Sequence, residues 1–293
     1  MKNVVVLKGG PSAEREVSLT SGAAVAQGLR ACGFHVDEID VDDTIPDLPL
    51  GTDGVFIALH GAYGEDGSVQ EALEALALPY TGAGPEASRI AFDKALCKEK
   101  LESAGVPMAP SEILSVGQTP DLPLALVIKP CRQGSTIGMS CVRAQEEMSA
   151  ALALAFQYDD KVMAETYIPG RELTVGLVDG QAMPIVEIVA PEAWYSYDAK
   201  YASQETVYHV PAALPDATRK RCVDLARRAY QATHCRGMAR VDFRLRPDGE
   251  LFALEVNTIP GFTPSSLLPK AAAAFGWEFP ELCRRVMATA WKK

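Results

Sequence analysis

The stretch RVDFRLRPDGELFALEVN, residues 240–257, decides the fold. Two strand-like runs flank Pro247-Asp248-Gly249, where proline presets one φ and glycine accepts a left-handed turn at no steric cost. The segment reads as a long antiparallel hairpin. Strand side chains alternate faces, so Arg240 and Asp242 share one face, and Glu255 and Asn257 share one face. If Asp248 and Gly249 form a two-residue loop, Asp242 lies opposite Glu255 and Arg240 opposite Asn257; a bulge would shift that register. Carboxylates facing each other across a ladder repel, and a bound cation removes the penalty. Asp, Glu and Asn offer only hard oxygen ligands, which suits Mg²⁺ held between protein and phosphate oxygens. The competing reading is the solvated face of an edge hairpin. An arginine set among three oxygen ligands favours the metal.

Working outward, residues 124–128 read as a strand that delivers Lys129 at its end, with Gly134-Ser135-Thr136-Ile137-Gly138 shortly after. Glycines let backbone N–H groups approach phosphate oxygens, and a nearby lysine adds point charge. The loop is neither a Walker A motif nor GxGxxG, and on its own such a loop is usually just a turn. Upstream, residues 4–7, 34–39 and 54–59 read as strands, alternating with helices over 16–32 and 69–77. That βαβ periodicity predicts a parallel sheet packed with helices. Further helices are expected over 94–104, 146–156 and 218–234, with a strand over 162–167 and a helix around the alanine run 271–274. Soft boundaries near Arg89 and Gly180 divide the chain into residues 1–89, 90–179 and 180–293.

Composition bounds the function. The 293 residues carry a formal net charge of −10, against the basic face that nucleic-acid binding requires. A local cationic pocket can still hold a nucleotide. No run approaches the roughly 20 apolar residues of a membrane span. The seven cysteines are scattered with no C-x-x-C pair, which fits reduced thiols in a cytoplasmic protein.

Several segments together resemble the D-alanine–D-alanine ligases of the ATP-grasp superfamily. They are GGPSAEREVS at residues 9–18, His60-Gly61 with Gly64-Glu65-Asp66-Gly67, Tyr80-Thr81-Gly82, Asp93-Lys94, Lys129-Pro130 and Gly134-Ser135 with Gly138. Lys200-Tyr201, Arg240 with Asp242, and EVNTIPGFTPSSL at residues 255–267 complete the set. The match runs in family order along essentially the whole chain. It implies an α/β fold of three lobes: an N-terminal parallel-sheet lobe, then two lobes that clasp ATP.

The resemblance also implies roles. Lys94 and Lys129 match the nucleotide-phosphate lysines, Glu165, Tyr167 and Ile168 the adenine edge, and Glu172 the ribose ligand. Asp242, Glu255 and Asn257 match the ligands of two Mg²⁺ ions, with Mn²⁺ the alternative divalent ion. Glu14 matches the anchor of the first D-alanine's ammonium, and His60 lies beside the substrates. Ser135 and Tyr201 match a hydrogen-bonding pair near the second substrate, and Lys200 reaches toward the transferred phosphate. Arg240 and the Gly261 N–H match the oxyanion stabilisers, while Ser266 and the Leu267 backbone hold the second carboxylate. A homodimer is implied, with D-alanine and ATP as substrates and no nucleic acid or membrane partner. The polar loop 194–208 is expected to be a lid, with His209 just beyond it. Departures are Lys8, Gln133 and Thr136, together with short linkers near residues 42–52 and 115–122. Two alternatives stand beside this reading: an ATP-grasp ligase with another acceptor, such as D-lactate, and a catalytically dead nucleotide sensor. The intact trio Asp242, Glu255 and Asn257 argues against the second.

Overall fold

The computed structural model describes residues 2–45, 47–190 and 206–292. The N-terminal lobe is a parallel sheet of β1 (Asn3–Gly9), β2 (His35–Val41) and β3 (Gly54–Ile57) in the order β2-β1-β3. Val4 to Leu7 are all buried, which is why that run is continuously apolar and does not alternate. Helix α1 (Arg15–Ala31) makes the crossover from β1 to β2. Helix α2 (Ser68–Ala75) carries the chain from β3 to Tyr80, which bridges Val55 in parallel.

Helices α3 (Pro85–Phe92) and α4 (Lys94–Ser103) are separated by Asp93 alone. Its carboxylate accepts the Ala95 and Leu96 N–H groups at 2.9 and 3.2 Å. Satisfying two of the free amides at a helix start fixes where α4 begins, and so makes Lys94 its first residue. The central lobe is an antiparallel sheet of β4 (Ser111–Leu114), β5 (Leu126–Pro130), β6 (Ser140–Val142) and β7 (Val162–Thr166), in the order β4-β7-β5-β6. Helix α5 (Met148–Ala155) packs on it.

The largest sheet holds β8 (Arg171–Val178), β9 (Gln181–Ala182), β10 (Val186–Val189), β11 (Val207–His209), β12 (Met238–Leu245) and β13 (Leu251–Asn257). Its order is β11-β10-β8-β12-β13, with β9 paired to β8. Helix α6 (Asp216–Ala232) covers one face, and α7 (Leu267–Ala274) and α8 (Phe279–Thr289) return to the N-terminal lobe. The three-lobed α/β architecture with a parallel N-terminal sheet is therefore present. Among the described residues three buried clusters hold it together. One joins the N-terminal sheet to α7 and α8, a second lies between the large sheet, α4 and α6, and a third belongs to the central sheet and α5. Among the described residues no helix is long and apolar enough to cross a membrane. All seven cysteines are free thiols.

The hairpin of β12 and β13 differs from a straight ladder in two compensating ways. Its loop has three residues: Gly249 N–H donates to Arg246 C=O at 2.9 Å, Arg246 N–H to Glu250 C=O at 2.8 Å, and Gly249 sits at φ +89°. This is a tight turn closed by a left-handed glycine, which moves the ladder by one residue. Phe243 accordingly faces Ala253. A bulge between Asp242 and Phe243 then inserts Leu254, and beyond it Asp242 faces Glu255 and Arg240 faces Asn257. The expected pairs are observed, reached through a loop one residue longer and a bulge that restores the count.

Candidate active site

Two adjoining cavities, of about 480 and 110 Å³, lie where the three lobes meet. Lys94, Gln133, Gly134, Ser135, Arg240 and Glu255 line both. The smaller cavity lies between the central and large sheets, lined by Lys129, Glu165, Tyr167, Ile168, Glu172 and Asp242. The larger opens toward the N-terminal lobe and is lined by Glu14, His60, Asn257, Gly261, Ser266 and Leu267. The structure thus brings together every site residue expected from sequence except Lys200 and Tyr201, which lie outside the described residues, as does most of the expected lid.

In the smaller cavity, Lys129 and Glu165 are neighbours on β5 and β7 and form an ion pair of 2.7 Å, with both side chains about 95% buried. The other Glu165 oxygen, Oε1, is buried and has no hydrogen-bond partner. Lys94 reaches from the start of α4 to the Gln133 carbonyl, and its N–H bonds to the Cys131 carbonyl at 3.0 Å. Both lysines are therefore fixed by secondary structure: one by a strand end, one by a helix start.

The loop after β5 is anchored at its root. Arg132 donates to the buried Asp159 carboxylate through its backbone N–H at 2.7 Å and through its guanidinium. Burial would raise the Asp159 pKa, but Arg132 and the Lys161 and Arg132 amides outweigh it and hold it at about 2. Beyond that root Ser135 and Thr136 take φ of +49° and +64°. Successive non-glycine residues in the left-handed region carry strain of about 1–3 kcal/mol each, a feature of ligand-holding loops. The strained turn delivers the Ser135 hydroxyl to the Glu14 carboxylate of the N-terminal lobe. Glu14 is hemmed in, because a Cβ on Gly61 or on Gly134 would lie 2.9 or 3.0 Å from its Oε2.

On the hairpin face, Asp242 accepts the Thr174 hydroxyl at 2.5 Å and two guanidinium N–H groups of Arg240 at 2.8 Å. Glu255, directly opposite, has no ion-pair or hydrogen-bond partner among the described residues. The Asn257 Oδ1 accepts the Ile259 N–H at 3.1 Å, which fixes the side chain's orientation. An unneutralised carboxylate facing a second one, with an amide oxygen two residues on, is a hard-oxygen donor set that fits a divalent cation. Among the described residues no group of three or more His, Cys, Asp or Glu side chains is placed to hold a metal, so the hairpin set consists of two carboxylates and an amide oxygen.

His60 is buried with both ring nitrogens engaged: Nδ1 lies 3.0 Å from the Ile259 carbonyl and Nε2 3.1 Å from Ser21 Oγ. Burial alone would lower its pKa, but the Glu65 carboxylate 3.8 Å away, with Glu14 behind it, raises it above the ordinary value. Burial likewise raises the Glu65 pKa, and repulsion from Glu14 adds to it against the pull of His60. Ser266 precedes α7, so Leu267 opens a helix whose free N–H groups favour an anion.

Arg244 was missed at the sequence level although it shares the face of Arg240 and Asp242 by the same period of two. Its guanidinium bonds to the Ile168 carbonyl, the Glu172 carboxylate and the Tyr167 hydroxyl, each at 3.2 Å. Leu254 was missed too. The bulge turns it, beside Glu255, into the smaller cavity. His209 is exposed on β11, paired across the ladder with Glu187, and lines neither cavity.

Comparison with known proteins bears on the family and the fold. Residues 42–83 match the family model described as D-ala D-ala ligase N-terminus, and residues 100–288 the model described as D-ala D-ala ligase C-terminus. The chain is 46% identical to a D-alanine–D-alanine ligase of Syntrophotalea carbinolica, over 99% of this chain and 96% of that one. It is 45% identical to one from Bordetella petrii, over 98% and 91%. Among solved structures, a Bacillus anthracis D-alanine–D-alanine ligase complexed with ATP superposes with a TM-score of 0.86 at 30% identity, covering 99% and 97% of the two chains. The VanG D-Ala:D-Ser ligase of Enterococcus faecalis superposes with 0.88 at 26% identity, covering 99% of each. A site shared by three lobes, and relatives similar along nearly the full length, lead to one assignment: this chain belongs to the D-alanine–D-alanine ligase family.

Proposed function

We propose that this chain is an ATP-dependent ligase that joins two D-alanine molecules into D-alanyl-D-alanine, a peptidoglycan precursor, in the cytoplasm and as a homodimer. The observation that carries the reading is the junction of the two cavities. Lys94, Ser135, Arg240 and Glu255 line both, so a nucleotide in one presents its terminal phosphate to a carboxylate in the other.

In this reading the smaller cavity takes ATP. The unpartnered Glu165 Oε1 accepts the exocyclic amine of adenine, the Tyr167–Ile168 segment lies along the base, and Glu172 receives the ribose. Lys94 and Lys129 hold the phosphates. Asp242, Glu255 and Asn257 are suited to two Mg²⁺ ions, or Mn²⁺. When bound, these ions neutralise charge on the transferring phosphoryl oxygens.

The first D-alanine binds with its ammonium at Glu14. Its carboxylate attacks the γ-phosphorus, forming a C–O–P linkage as the bond to ADP breaks. The second D-alanine places its carboxylate at Ser266 and the Leu267 N–H, where the start of α7 favours negative charge. Its amine, having lost a proton, attacks the acyl carbon. The C–N bond forms and inorganic phosphate leaves. Arg240 and the Gly261 N–H stabilise the intervening oxyanion, a contribution worth about 2.7–4 kcal/mol per well-placed donor. Water must stay out, because it would hydrolyse the acyl phosphate. Lys200, Tyr201 and the remainder of the 194–208 loop are assigned to that closure and to the acceptor.

The test is phosphate release with purified protein, ATP, Mg²⁺ and D-alanine, followed by a panel of acceptors including D-serine and D-lactate. One D-alanyl-D-alanine per ADP is expected. ATP binding without D-alanine-dependent turnover would point to a nucleotide sensor, and a preferred second acceptor to a mixed ligase. Sedimentation equilibrium reads the dimer.

A further inference from the structure

Helix α1 turns two serines, Ser18 and Ser21, into the protein interior, both fully buried. Residues three apart share a helix face, and buried hydroxyls there need partners. Ser18 works inside the N-terminal lobe: its Oγ accepts the Gly9 N–H at 2.9 Å and donates to the Ala58 carbonyl at 2.6 Å. Ser21 reaches another part of the chain. Its Oγ accepts the Phe262 N–H at 3.3 Å and meets His60 Nε2 at 3.1 Å. The other His60 nitrogen, Nδ1, meets the Ile259 carbonyl at 3.0 Å. A carbonyl only accepts, so Nδ1 carries a proton.

These contacts enclose four residues. The Ile259 carbonyl is held by His60 and the Phe262 N–H by Ser21, leaving Pro260 and Gly261 suspended between two fixed backbone points. Gly261 lines the larger cavity. The Phe262 ring has its own anchorage, packing edge-on against Phe56 at 5.4 Å and against Phe279 at 5.8 Å. The fold therefore does not need Ser21 to keep this loop in place. What Ser21 adds is the orientation of the peptide planes around Gly261.

We propose that Ser21 is a positioning residue for the ligation step: with His60 it clamps the Ile259–Phe262 loop from the N-terminal lobe, aiming the Gly261 N–H at the acyl oxygen. This rests on the ligase reading above. The clamp acts on the second chemical step, and reaches the first D-alanine's side of the cavity only through His60. Phosphoryl transfer to the first D-alanine uses the lysines and the hairpin carboxylates, none of which Ser21 touches. Attack by the amine, in which C–N forms and the C–O bond to phosphate breaks, needs the oxyanion donor in place.

The experiment compares wild type with Ser21→Ala and Ser21→Thr, with Ser18→Ala as a buried-hydroxyl control on the same helix face. Acyl phosphate formation is read by positional isotope exchange in γ-¹⁸O-labelled ATP, and ligation by dipeptide formed per ADP. For Ser21→Ala, isotope exchange and the KM for ATP should stay within about threefold of wild type, while kcat for dipeptide falls about tenfold, the scale of a small misplacement of a reacting group. Dipeptide per ADP should drop below one half as the stranded acyl phosphate hydrolyses. Ser21→Thr, which keeps the hydroxyl, should restore the ratio, and Ser18→Ala should lower stability with the ratio still near one. If Ser21→Ala does not fold, Ser21→Cys carries the same comparison at nearly constant volume. A ratio that stays at one, or exchange and ligation that fall together, would overturn the clamp. Failure of the ligase reading itself would appear separately, as wild type making no ADP with D-alanine.

Discussion

Asp242 and Glu255 face each other directly across the hairpin, although the strand carrying Glu255 holds one residue more than a straight ladder allows. The added residue, Leu254, resolves a conflict of parity. In a straight strand Glu255 would share a face with Leu251 and Ala253, which are buried in the core. The bulge leaves those two inward and turns Leu254, Glu255 and Asn257 toward the cavities. Two carboxylates are thereby opposed on a face that also carries Arg240.

Glu255→Gln is the direct test of that opposition. The substitution keeps shape and removes one charge from a pair suited to hold cations, so kcat should fall by roughly 10²–10³, as for loss of other preorganised electrostatic groups. Folding should be unaffected, since the Glu255 carboxylate has no partner among the described residues. Near-normal dipeptide synthesis at saturating Mg²⁺ would remove the metal assignment.

Lys129→Ala should act on binding and on stability together. It removes a phosphate cation, raising the KM for ATP strongly, and it also strands Glu165 as a buried carboxylate without its counter-ion. Breaking such a pair from one side costs about 3–5 kcal/mol. Lys129→Ala with Glu165→Gln should regain most of the stability and none of the ATP affinity. Thermal unfolding and KM for ATP, measured on the single and double variants, separate the two effects. A single variant with unaltered ATP affinity would reduce Lys129 to a structural partner of Glu165.

Asp159 predicts the acid limit of the phosphate loop. Its folded pKa of about 2 lies below the ordinary 3.8, so its contribution is present above pH 4 and is lost as pH falls toward 2. The difference amounts to about 2 kcal/mol. Urea unfolding of wild type between pH 4 and 2 should show this loss, and Asp159→Asn should lack it. Parallel acid slopes in the two proteins would rule out the Arg132–Asp159 anchor as its source.

His209 bears on the choice of acceptor. A cationic imidazole beside the second substrate would repel an ammonium and favour a hydroxyl nucleophile. His209 instead faces Glu187 on an exposed strand, outside both cavities. His209→Ala should therefore leave the ratio of dipeptide to depsipeptide unchanged across pH 6 to 9, with dipeptide predominant. A shift in that ratio, measured with equimolar D-alanine and D-lactate, would place His209 in the acceptor site after all.

Much of this was legible in the sequence because its signals are local. Turn chemistry at Pro247-Asp248-Gly249, the alternation of Arg240 and Asp242, and the continuous apolar run of Val4 to Leu7 each state their structure within a few residues. The loop length and the Leu254 bulge were not legible, because two one-residue departures cancel and leave the same expected pair. Strand β8 escaped notice for a different reason: as an inner strand it is nearly all apolar after Glu172, and shows no alternation to count. The partners of Ser18 and Ser21 were not legible either, since they lie up to 241 residues away along the chain. Ser135 carried an expected role by resemblance, but only the backbone shows the left-handed turn at Ser135 and Thr136 that brings its hydroxyl to Glu14.

The separation of the three buried clusters gives the molecule unequal mechanical units. The N-terminal sheet shares one cluster with α7 and α8, and through Val178, Val186 and Met238 that cluster also reaches the large sheet. The cluster of β4–β7 and α5 takes in none of those residues. Native-state hydrogen exchange should then resolve two foldons. The amides of β5 and β7, though flanked by neighbours on both sides, should exchange by sub-global opening at a lower free energy than those of β1 or β12. Nucleotide, by bridging the small foldon to the large one, should draw the two exchange free energies together.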